Sequence, residues 1–206
     1  MTTHRLVLAT RNAGKIEEFR RILDAIAPGS IELVGVDQFP ELEDVEETED
    51  SFQGNALLKA RTIAKATGLP AIADDSGLCV DALGGDPGIF SARWAGVHGD
   101  DVANVEKVLD QMREIGDGER GAHFTCVAAF VIPGGAETTQ EGTLQGEILR
   151  APIGTHGFGY DPIFRPMGYD LSLAQLGAQV KDSISHRGQS LRAIAPRVAL
   201  LLDGLG

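Results

Sequence analysis

The chain has 206 residues, 43% of them hydrophobic, which is enough to build the core of one sizeable domain or of two small lobes. Its formal net charge of −12 argues against a nucleic-acid surface, because phosphate contacts need clustered lysines and arginines. A small phosphorylated ligand stays possible if a few local cations and a metal ion hold it. No apolar run approaches the roughly 20 residues that cross a bilayer. We therefore predict a cytoplasmic protein that binds neither membrane nor nucleic acid.

The cysteines point to the same compartment. Cys79 and Cys126 are the only two in the chain, and each lies in an apolar, strand-like segment. This context favours buried free thiols over a disulfide. No Cys/His cluster has the spacing of zinc ligands.

Strands and helices alternate along the first half of the chain. In chain order the pattern predicts a strand at 5–10, a helix at 13–27, a strand at 31–36, an acidic loop at 37–50, a helix at 52–67, a strand at 71–73 that stops at 74–77, a strand at 78–83, a helix at 102–115, strands at 124–132 and 137–149, and a last helix at 188–202. Ser51 is a suitable cap for the second helix, and Gly68 and Pro70 end it. The alternation predicts an α/β fold, in which a cleft between two lobes would suit a ligand.

The most informative segment is 157–164, Gly-Phe-Gly-Tyr-Asp-Pro-Ile-Phe. Glycine lets a backbone approach a ligand closely, and proline ends regular strand pairing. An aromatic ring on such a loop can stack on a flat heterocycle, and Asp161 can accept a hydrogen bond from it. Phe158 and Tyr160 could equally fill a core.

A second candidate segment lies between the first strand and the first helix. It consists of Thr10, Arg11, Asn12, Ala13, Gly14 and Lys15. Backbone N–H groups at a helix start attract phosphate, and Lys15 adds a point charge. The Walker pattern needs glycine where Ala9 stands and serine or threonine where Ile16 stands, so P-loop kinases and ATPases are disfavoured. A plain helix cap by Asn12 is the alternative.

Carboxylates form a third candidate at the end of a predicted strand, in Asp74-Asp75-Ser76-Gly77. Ligand sites of α/β proteins gather at such strand ends. One carboxylate could bind Mg²⁺ or act as a base while the other shapes the turn, or the segment could simply be an Asx turn. The acidic loop at 37–50 is either solvated or supplies one more carboxylate for a cation.

Basic residues complete the set of candidates. His186 and Arg187 stand just before the last predicted helix, where cations oppose the helix dipole, and a broken local rule often marks function. Lys181 adds a donor upstream. Lys59 shares a face of the second helix with Asn55, as a pocket-lining residue would. In each case exposed surface charge is the alternative.

Together and in this order, these motifs resemble the inosine triphosphate pyrophosphatase family, the dITP/XTP pyrophosphatases. The matching segments are 10–15, 55–60, 74–78, 88–93, 157–164, Lys181 and 185–187, and they span nearly the whole chain. The resemblance implies an α/β fold with an elongated mixed sheet flanked by helices, forming one domain of two lobes with a central substrate cleft, and a homodimer. It also implies Mg²⁺-dependent hydrolysis of non-standard purine nucleoside triphosphates to a monophosphate and pyrophosphate.

The resemblance assigns roles to individual residues. It assigns triphosphate binding to Thr10, Arg11, Asn12, Ala13, Gly14, Lys15 and Lys59, and substrate contact to Ser76. Phe158 would stack on the purine, with Gly159, Tyr160 and Asp161 completing the loop. Lys181, His186 and Arg187 would contact the base and its 6-oxo group. Asp75 matches the catalytic carboxylate and a metal ligand. Glu47 matches the second metal ligand, with Glu46 as the alternative. Gly54 stands where the family commonly has glutamate.

Two other functions fit the same motifs. A non-catalytic nucleotide-binding or sensing module would have the same cleft, although intact Asp75, Lys15 and Lys59 speak against it. A phosphomonoesterase would release orthophosphate instead of pyrophosphate.

Overall fold

The computed structural model describes residues 4–204. Within that range the helices are α1 (Ala13–Ile26), α2 (Phe52–Thr67), α3 (Asp101–Gln111), α4 (Ala178–Ile184) and α5 (His186–Asp203). The strands are β1 (His4–Leu8), β2 (Ile31–Gly35), β3 (Ala71–Val80), β4 (Gly121–Val131), β5 (Glu137–Ile148) and β6 (Phe164–Pro166). They form a six-stranded sheet in the order β2-β1-β3-β4-β5-β6.

The sheet is mixed, which confirms the predicted fold class. β1 runs parallel to β2 and to β3, whereas β5 and β6 are antiparallel. The parallel pairs are joined through helices, as parallel pairing requires. None of the helices in the described part of the chain is long and apolar enough to cross a membrane.

The chain divides into two compact units, and β3, β4 and β5 each contribute residues to both. The first unit holds the described residues of Met1–Asp75, Cys126–Gly142 and Arg187–Gly206. Its sheet is buried on both faces. Leu6 and Leu8 of β1 pack in one cluster with α1 and α5, while Val7 packs in another with α2, because successive side chains of a strand point to opposite faces.

The second unit comprises Ser76–Thr125 and Thr143–His186. Its core gathers the end of β3, helix α3, and aromatic side chains that include Phe124 and Phe164, whose ring centroids are 4.7 Å apart. The core also contains Tyr160. The segment 157–164 is therefore anchored in this unit by its own side chains.

Local signals predicted several elements closely. Helix α2 spans the predicted 52–67, with the Ser51 hydroxyl accepting from Gly54 N and Gly68 in a left-handed conformation at φ 68°. Both cysteines are buried free thiols, as predicted.

The predicted interruption at 74–77 is wrong. β3 runs unbroken through Asp74, Asp75, Ser76 and Gly77. Pairing with β1 and β4 on its two sides outweighs the turn preference of these residues, because strand propensity depends strongly on sheet context.

Two helix boundaries also differ from prediction. Helix α3 ends at Gln111 instead of continuing to 115. Helix α5 begins at His186, directly after the short α4. His186 and Arg187 thus lie within the first turn of α5 and not ahead of it.

Candidate active site

Lys59 is the centre of a group of polar side chains in the first unit. It is 9% exposed, and its Nζ lies 3.1 Å from Asp75 Oδ1 and 2.8 Å from Glu47 Oε1. Asn55, one turn earlier on α2, donates from Nδ2 to Asp75 Oδ2 at 3.2 Å. Helix α2 therefore presents an amide and an ammonium side by side to the Asp75 carboxylate, since residues four apart share a helix face. Lys59 is a buried residue and not a solvated flank.

Burial and the charges of neighbouring groups together raise the pKa values of both Asp75 and Lys59. Burial raises the pKa of Asp75, and the nearby Glu47 adds to this effect against the opposing charges of Lys59 and Lys15. Burial alone would lower the pKa of Lys59, but Asp75 and Glu47 outweigh it and raise the pKa above its ordinary value. Lys59 therefore stays a cation, while Asp75 takes up a proton more readily than an ordinary aspartate.

Asp74 faces a different set of partners from Asp75, as neighbours on a strand do. Its Oδ2 lies 3.1 Å from Lys15 Nζ and accepts from Arg187 Nε at 3.2 Å. Arg187 also pairs with Glu18 of α1. Burial alone would raise the pKa of Asp74, but the charges of Lys15 and Arg187 hold it well below its usual range.

The segment between β1 and α1 forms the capped helix start that the sequence predicts. Asn12 Oδ1 accepts from Lys15 N at 3.0 Å, and Thr10 Oγ1 accepts from Asn12 N at 3.2 Å. Ala13 and Gly14 form the first turn of α1. Asn12 is thus a helix cap, which is compatible with backbone N–H groups that bind phosphate.

Arg11 has a clear structural partner. Its guanidinium pairs with Asp44 and donates to the carbonyl oxygen of Leu42 at 2.6 Å. It therefore ties the acidic loop to the start of α1. Its predicted contact with triphosphate stays a prediction.

Carboxylates that could hold a metal ion converge on Lys59. Asp75 and Glu47 both contact its ammonium. The two carboxylates therefore lie close enough together to share one cation. Glu46 is exposed, so the geometry favours Glu47 as the second ligand. In the described part of the chain no three acidic, histidine or cysteine side chains form a metal-binding group. Two carboxylates completed by water and phosphate oxygens suit Mg²⁺, which keeps several waters.

Gly54 has a steric role at the start of α2. A Cβ at this position would lie 2.7 Å from Glu49 Cβ and 3.1 Å from Ser51 Oγ. The backbone N–H of Glu49 donates to Asn55 Oδ1 at 3.0 Å. The missing side chain therefore lets the acidic loop pack against the helix that carries Lys59.

In the second unit, the loop at 157–161 is fixed by Asp161. Its Oδ2 accepts from Phe158 N at 2.9 Å and pairs with Lys181. Gly157 has φ 78°, and a Cβ there would lie 2.0 Å from Asp161 Oδ2, so only glycine fits. Lys181 Nζ lies 4.9 Å from the centroid of the half-buried Phe158 ring, in the geometry of a cation–π contact. Lys181, Asp161 and Phe158 are thus brought together.

The two rings of this loop differ in their surroundings. Tyr160 is 5% exposed within the core, and its hydroxyl donates to Ser91 O at 2.8 Å. Tyr160 therefore fills the core, which was the alternative to ligand stacking for the rings of this loop. Gly159 N donates to Asp101 Oδ2 at 2.8 Å. Phe158 is therefore the ring that suits stacking on a ligand.

The remaining predicted residues lie in different surroundings. His186 is 5% exposed and stacks on Phe124 with centroids 4.7 Å apart and planes 8° from parallel. Ser76 is half-buried on β3. Arg187 is buried with its guanidinium on Glu18 and Asp74. Base contact by His186 and Arg187 and substrate contact by Ser76 stay predictions. The Arg187 guanidinium also takes part in an internal ion-pair network.

Sequence reasoning missed Glu18 and the role of Asp74. Glu18 lies on the buried face of α1, one turn before Ile22. An acidic residue in an apolar helix stripe is a signal for a buried ion pair. Its partner could not be read from local sequence.

The chain matches known proteins over nearly all of its length. A model of the Ham1 family matches residues 6–197. A dITP/XTP pyrophosphatase of Streptomyces coelicolor is 58% identical over 96% of this chain and 98% of its own, and one of Nocardia farcinica is 51% identical over 98% of each.

Solved structures agree with these relatives. The structure of a HAM1 protein from Coxiella burnetii superposes with a TM-score of 0.84 at 40% identity, covering 96% of this chain and 99% of that one. A nucleoside-triphosphatase / dITP/XTP pyrophosphatase from Mycobacterium abscessus gives 0.75 at 47% identity, covering 94% and 99%. The resemblance inferred from the motifs is confirmed.

Proposed function

The chain belongs to the Ham1 family, and we propose that it hydrolyses the non-standard purine nucleoside triphosphates ITP, dITP and XTP to the monophosphate and pyrophosphate. Such an activity removes these nucleotides from the cellular pool. The observation that carries the proposal is the convergence of Asp75 and Glu47 on the buried ammonium of Lys59. It provides a carboxylate base and a cation in one place, in a chain whose relatives are named dITP/XTP pyrophosphatases.

Charge balance supports a divalent metal ion. The linked charged side chains of the first unit, buried or half-buried, are the cations Lys15, Lys59 and Arg187 and the carboxylates of Glu18, Glu47, Asp74 and Asp75. Their summed formal charge is thus one unit negative, although the proposed substrate is a polyanion. We propose that Asp75 and Glu47 hold Mg²⁺. The ion would supply charge neutralisation on the reacting phosphate.

The protein groups then have separate tasks in the attack of water on the α-phosphorus. Asp75, whose pKa is raised by burial, takes the proton from the water. Lys15 and Lys59 offset charge on the phosphate oxygens, which is the main catalytic requirement of phosphoryl transfer. The new bond joins the water oxygen to the α-phosphorus. The bond between the α-phosphorus and the α–β bridging oxygen breaks, and pyrophosphate leaves with that oxygen and the electron pair of the broken bond.

Purine recognition requires an aromatic ring and hydrogen-bond donors, and we propose that residues of the second unit supply them. Phe158 supplies a ring for stacking, held by Lys181 and Asp161. Donors from Lys181 and His186 would pair with a 6-oxo group, whereas the 6-amino group of adenine would leave them unpaired. Such mismatches in a polar site can discriminate by several orders of magnitude. A homodimer and a cytoplasmic location stay predictions.

A product assay tests this function. Purified protein is incubated with dITP, XTP and dGTP, in Mg²⁺ or in EDTA, and pyrophosphate is assayed separately from orthophosphate. We expect monophosphate and pyrophosphate from dITP and XTP, little from dGTP and none in EDTA. Orthophosphate as the first product would instead support a phosphomonoesterase. An absence of turnover would favour a binding module.

A further inference from the structure

Four alternating charges, three of them buried, form a chain of ion pairs from α1 through α5 and β3 back to α1. Glu18 pairs with Arg187, Arg187 pairs with Asp74, and Asp74 pairs with Lys15. Glu18 and Lys15 lie three residues apart on α1. Helix α1 therefore supplies the first and the last residue of this series of ion pairs.

Asp74 Oδ2 is the point where the ion pairs meet. It accepts from Arg187 Nε at 3.2 Å and Nη2 at 3.1 Å, and it lies 3.1 Å from Lys15 Nζ. Oδ1 is buried without a hydrogen-bond partner among the described residues. The orientation of this one oxygen thus depends on Arg187 and determines where the Lys15 ammonium rests.

The four ion-paired side chains differ in their exposure to solvent. The side chains of Glu18, Arg187 and Asp74 are 4%, 2% and 0% exposed, whereas that of Lys15 is 15% exposed. The three fully buried members cannot meet a ligand without rearrangement. Lys15 is the member that can, and it stands beside the helix start that suits phosphate.

We propose that Glu18 is a positioning residue for phosphate binding: it holds Arg187, which orients Asp74, which fixes the Lys15 ammonium. The proposal rests on the proposed function in that Lys15 binds substrate phosphate. When Glu18 is neutral, Arg187 loses one of the carboxylates that it pairs with. Its guanidinium then draws Asp74 toward itself, and Lys15 loses its fixed position. Affinity for phosphate falls because preorganisation is lost.

A simple field effect predicts the opposite result. Removal of a negative charge near an anion site strengthens anion binding through long-range electrostatics. A purely structural role predicts a lower melting temperature with unchanged affinity in the folded protein. The sign of the change in affinity therefore separates the three explanations.

The test uses inorganic pyrophosphate as the probe, measured by titration calorimetry in Mg²⁺ with the full chain. We expect Glu18→Gln to weaken binding about fivefold, as for coupled neighbours in one network. The matched control is Glu17→Gln, which removes the same charge from the adjacent position, where the side chain is 75% exposed. The control should bind pyrophosphate as the wild type does. Unchanged or tighter binding by Glu18→Gln would overturn the proposal.

A double-mutant cycle shows whether Lys15 transmits the effect. In a Lys15→Met background, Glu18→Gln should leave the remaining pyrophosphate affinity unchanged. An equal loss in both backgrounds would mean that Glu18 acts by another route. If Glu18→Gln does not fold, Glu18→Asp keeps the charge but withdraws it by one methylene, and the same cycle applies.

Turnover is measured in parallel to separate this proposal from the function. The KM for dITP should rise in Glu18→Gln while kcat stays within about twofold, the pattern of lost uniform binding. A protein that shows the binding cycle but hydrolyses no triphosphate would refute the function and retain the positioning role. A wild-type protein that binds no pyrophosphate would overturn the positioning role.

Discussion

Lys59 and Asp75 form a buried ion pair, with Nζ 3.1 Å from Oδ1. Each changes the protonation of the other, because Lys59 opposes the upward shift that burial gives the pKa of Asp75. The pair joins the middle of α2 to the middle of β3. It therefore places the proposed base on rigid elements instead of a loop, which favours accurate positioning.

Replacement of Asp75 with asparagine should reduce kcat for dITP by about 10²- to 10⁴-fold, the usual contribution of a general base. Asparagine keeps the shape and can still accept from Lys59, so the far-ultraviolet circular dichroism spectrum should stay unchanged. Initial rates of pyrophosphate release measure the effect. Asp24→Asn, at an exposed position on α1, is the control. Activity within a few-fold of wild type in Asp75→Asn would refute the catalytic assignment.

Glu46 and Glu47 provide a matched pair for the metal site. Glu47 lies 2.8 Å from Lys59 Nζ, whereas Glu46 is exposed. Loss of a residue that only orients a metal ligand typically weakens metal binding about 10- to 100-fold. Glu47→Gln removes a proposed ligand itself, so it should raise the Mg²⁺ concentration for half-maximal activity by at least this factor. Glu46→Gln should leave it within about twofold. Equal shifts, or a larger one for Glu46→Gln, would contradict the assignment of Glu47.

The elements that sequence patterns predicted well have local causes. Helix α2 begins after the cap Ser51 and ends at Gly68, and both signals lie beside the ends they mark. The unbroken course of β3 depends on pairing with two neighbouring strands, which no local pattern contains. The same limit applies to the site. Lys59 and Asn55 share a helix face that spacing reveals, but the partners Glu18 and Arg187 are 169 residues apart.

Phe158 should contribute mainly to substrate binding. Stacking of a base on an aromatic side chain is worth about 1–3 kcal/mol, which corresponds to about 5- to 150-fold in affinity. Phe158→Ala should raise the KM for dITP by such a factor with a smaller change in kcat. Phe90→Ala is the control, since Phe90 is also in the second unit and is 47% exposed. A KM unchanged by Phe158→Ala would show that the ring does not stack on the purine.

Cys126 should make stability depend on pH in alkaline solution. Burial, with the nearby charge of Asp74, raises the pKa of its thiol from 9.0 to about 12. Between these values the unfolded chain loses a proton that the folded protein keeps. The free energy of unfolding therefore falls as pH rises through this window, by up to about 1.4 kcal/mol per pH unit for one proton. Below pH 9 the thiol makes no such contribution.

Urea unfolding at pH 8.0, 9.5 and 10.5 measures this contribution by comparison of wild type with Cys126→Ala. Other groups titrate in both proteins, so the difference between the two isolates the thiol. The wild type should lose stability relative to Cys126→Ala as pH rises above the ordinary thiol range. A difference that stays constant over the three pH values would show that Cys126 ionises normally in the folded protein.

Gly54 should tolerate a methyl group poorly although it lies in a helix. Alanine is favoured over glycine in helices by up to about 1 kcal/mol. Here, however, its Cβ would lie 2.7 Å from Glu49 Cβ, and relief of such overpacking costs typically about 1–3 kcal/mol. Gly54→Ala should therefore lower the melting temperature. It should also raise the Mg²⁺ requirement, because Glu47 lies two residues from the displaced Glu49.

Two variants check the cause of these effects. Gly118→Ala adds a methyl group where nothing lies within 4 Å and should change neither the melting temperature nor the Mg²⁺ requirement appreciably. Glu49→Gly combined with Gly54→Ala removes the colliding Cβ and should restore the Mg²⁺ requirement toward that of Glu49→Gly alone. If Gly54→Ala instead stabilises the protein at an unchanged Mg²⁺ requirement, helix propensity dominates and the close packing of the acidic loop on α2 has no part in metal binding.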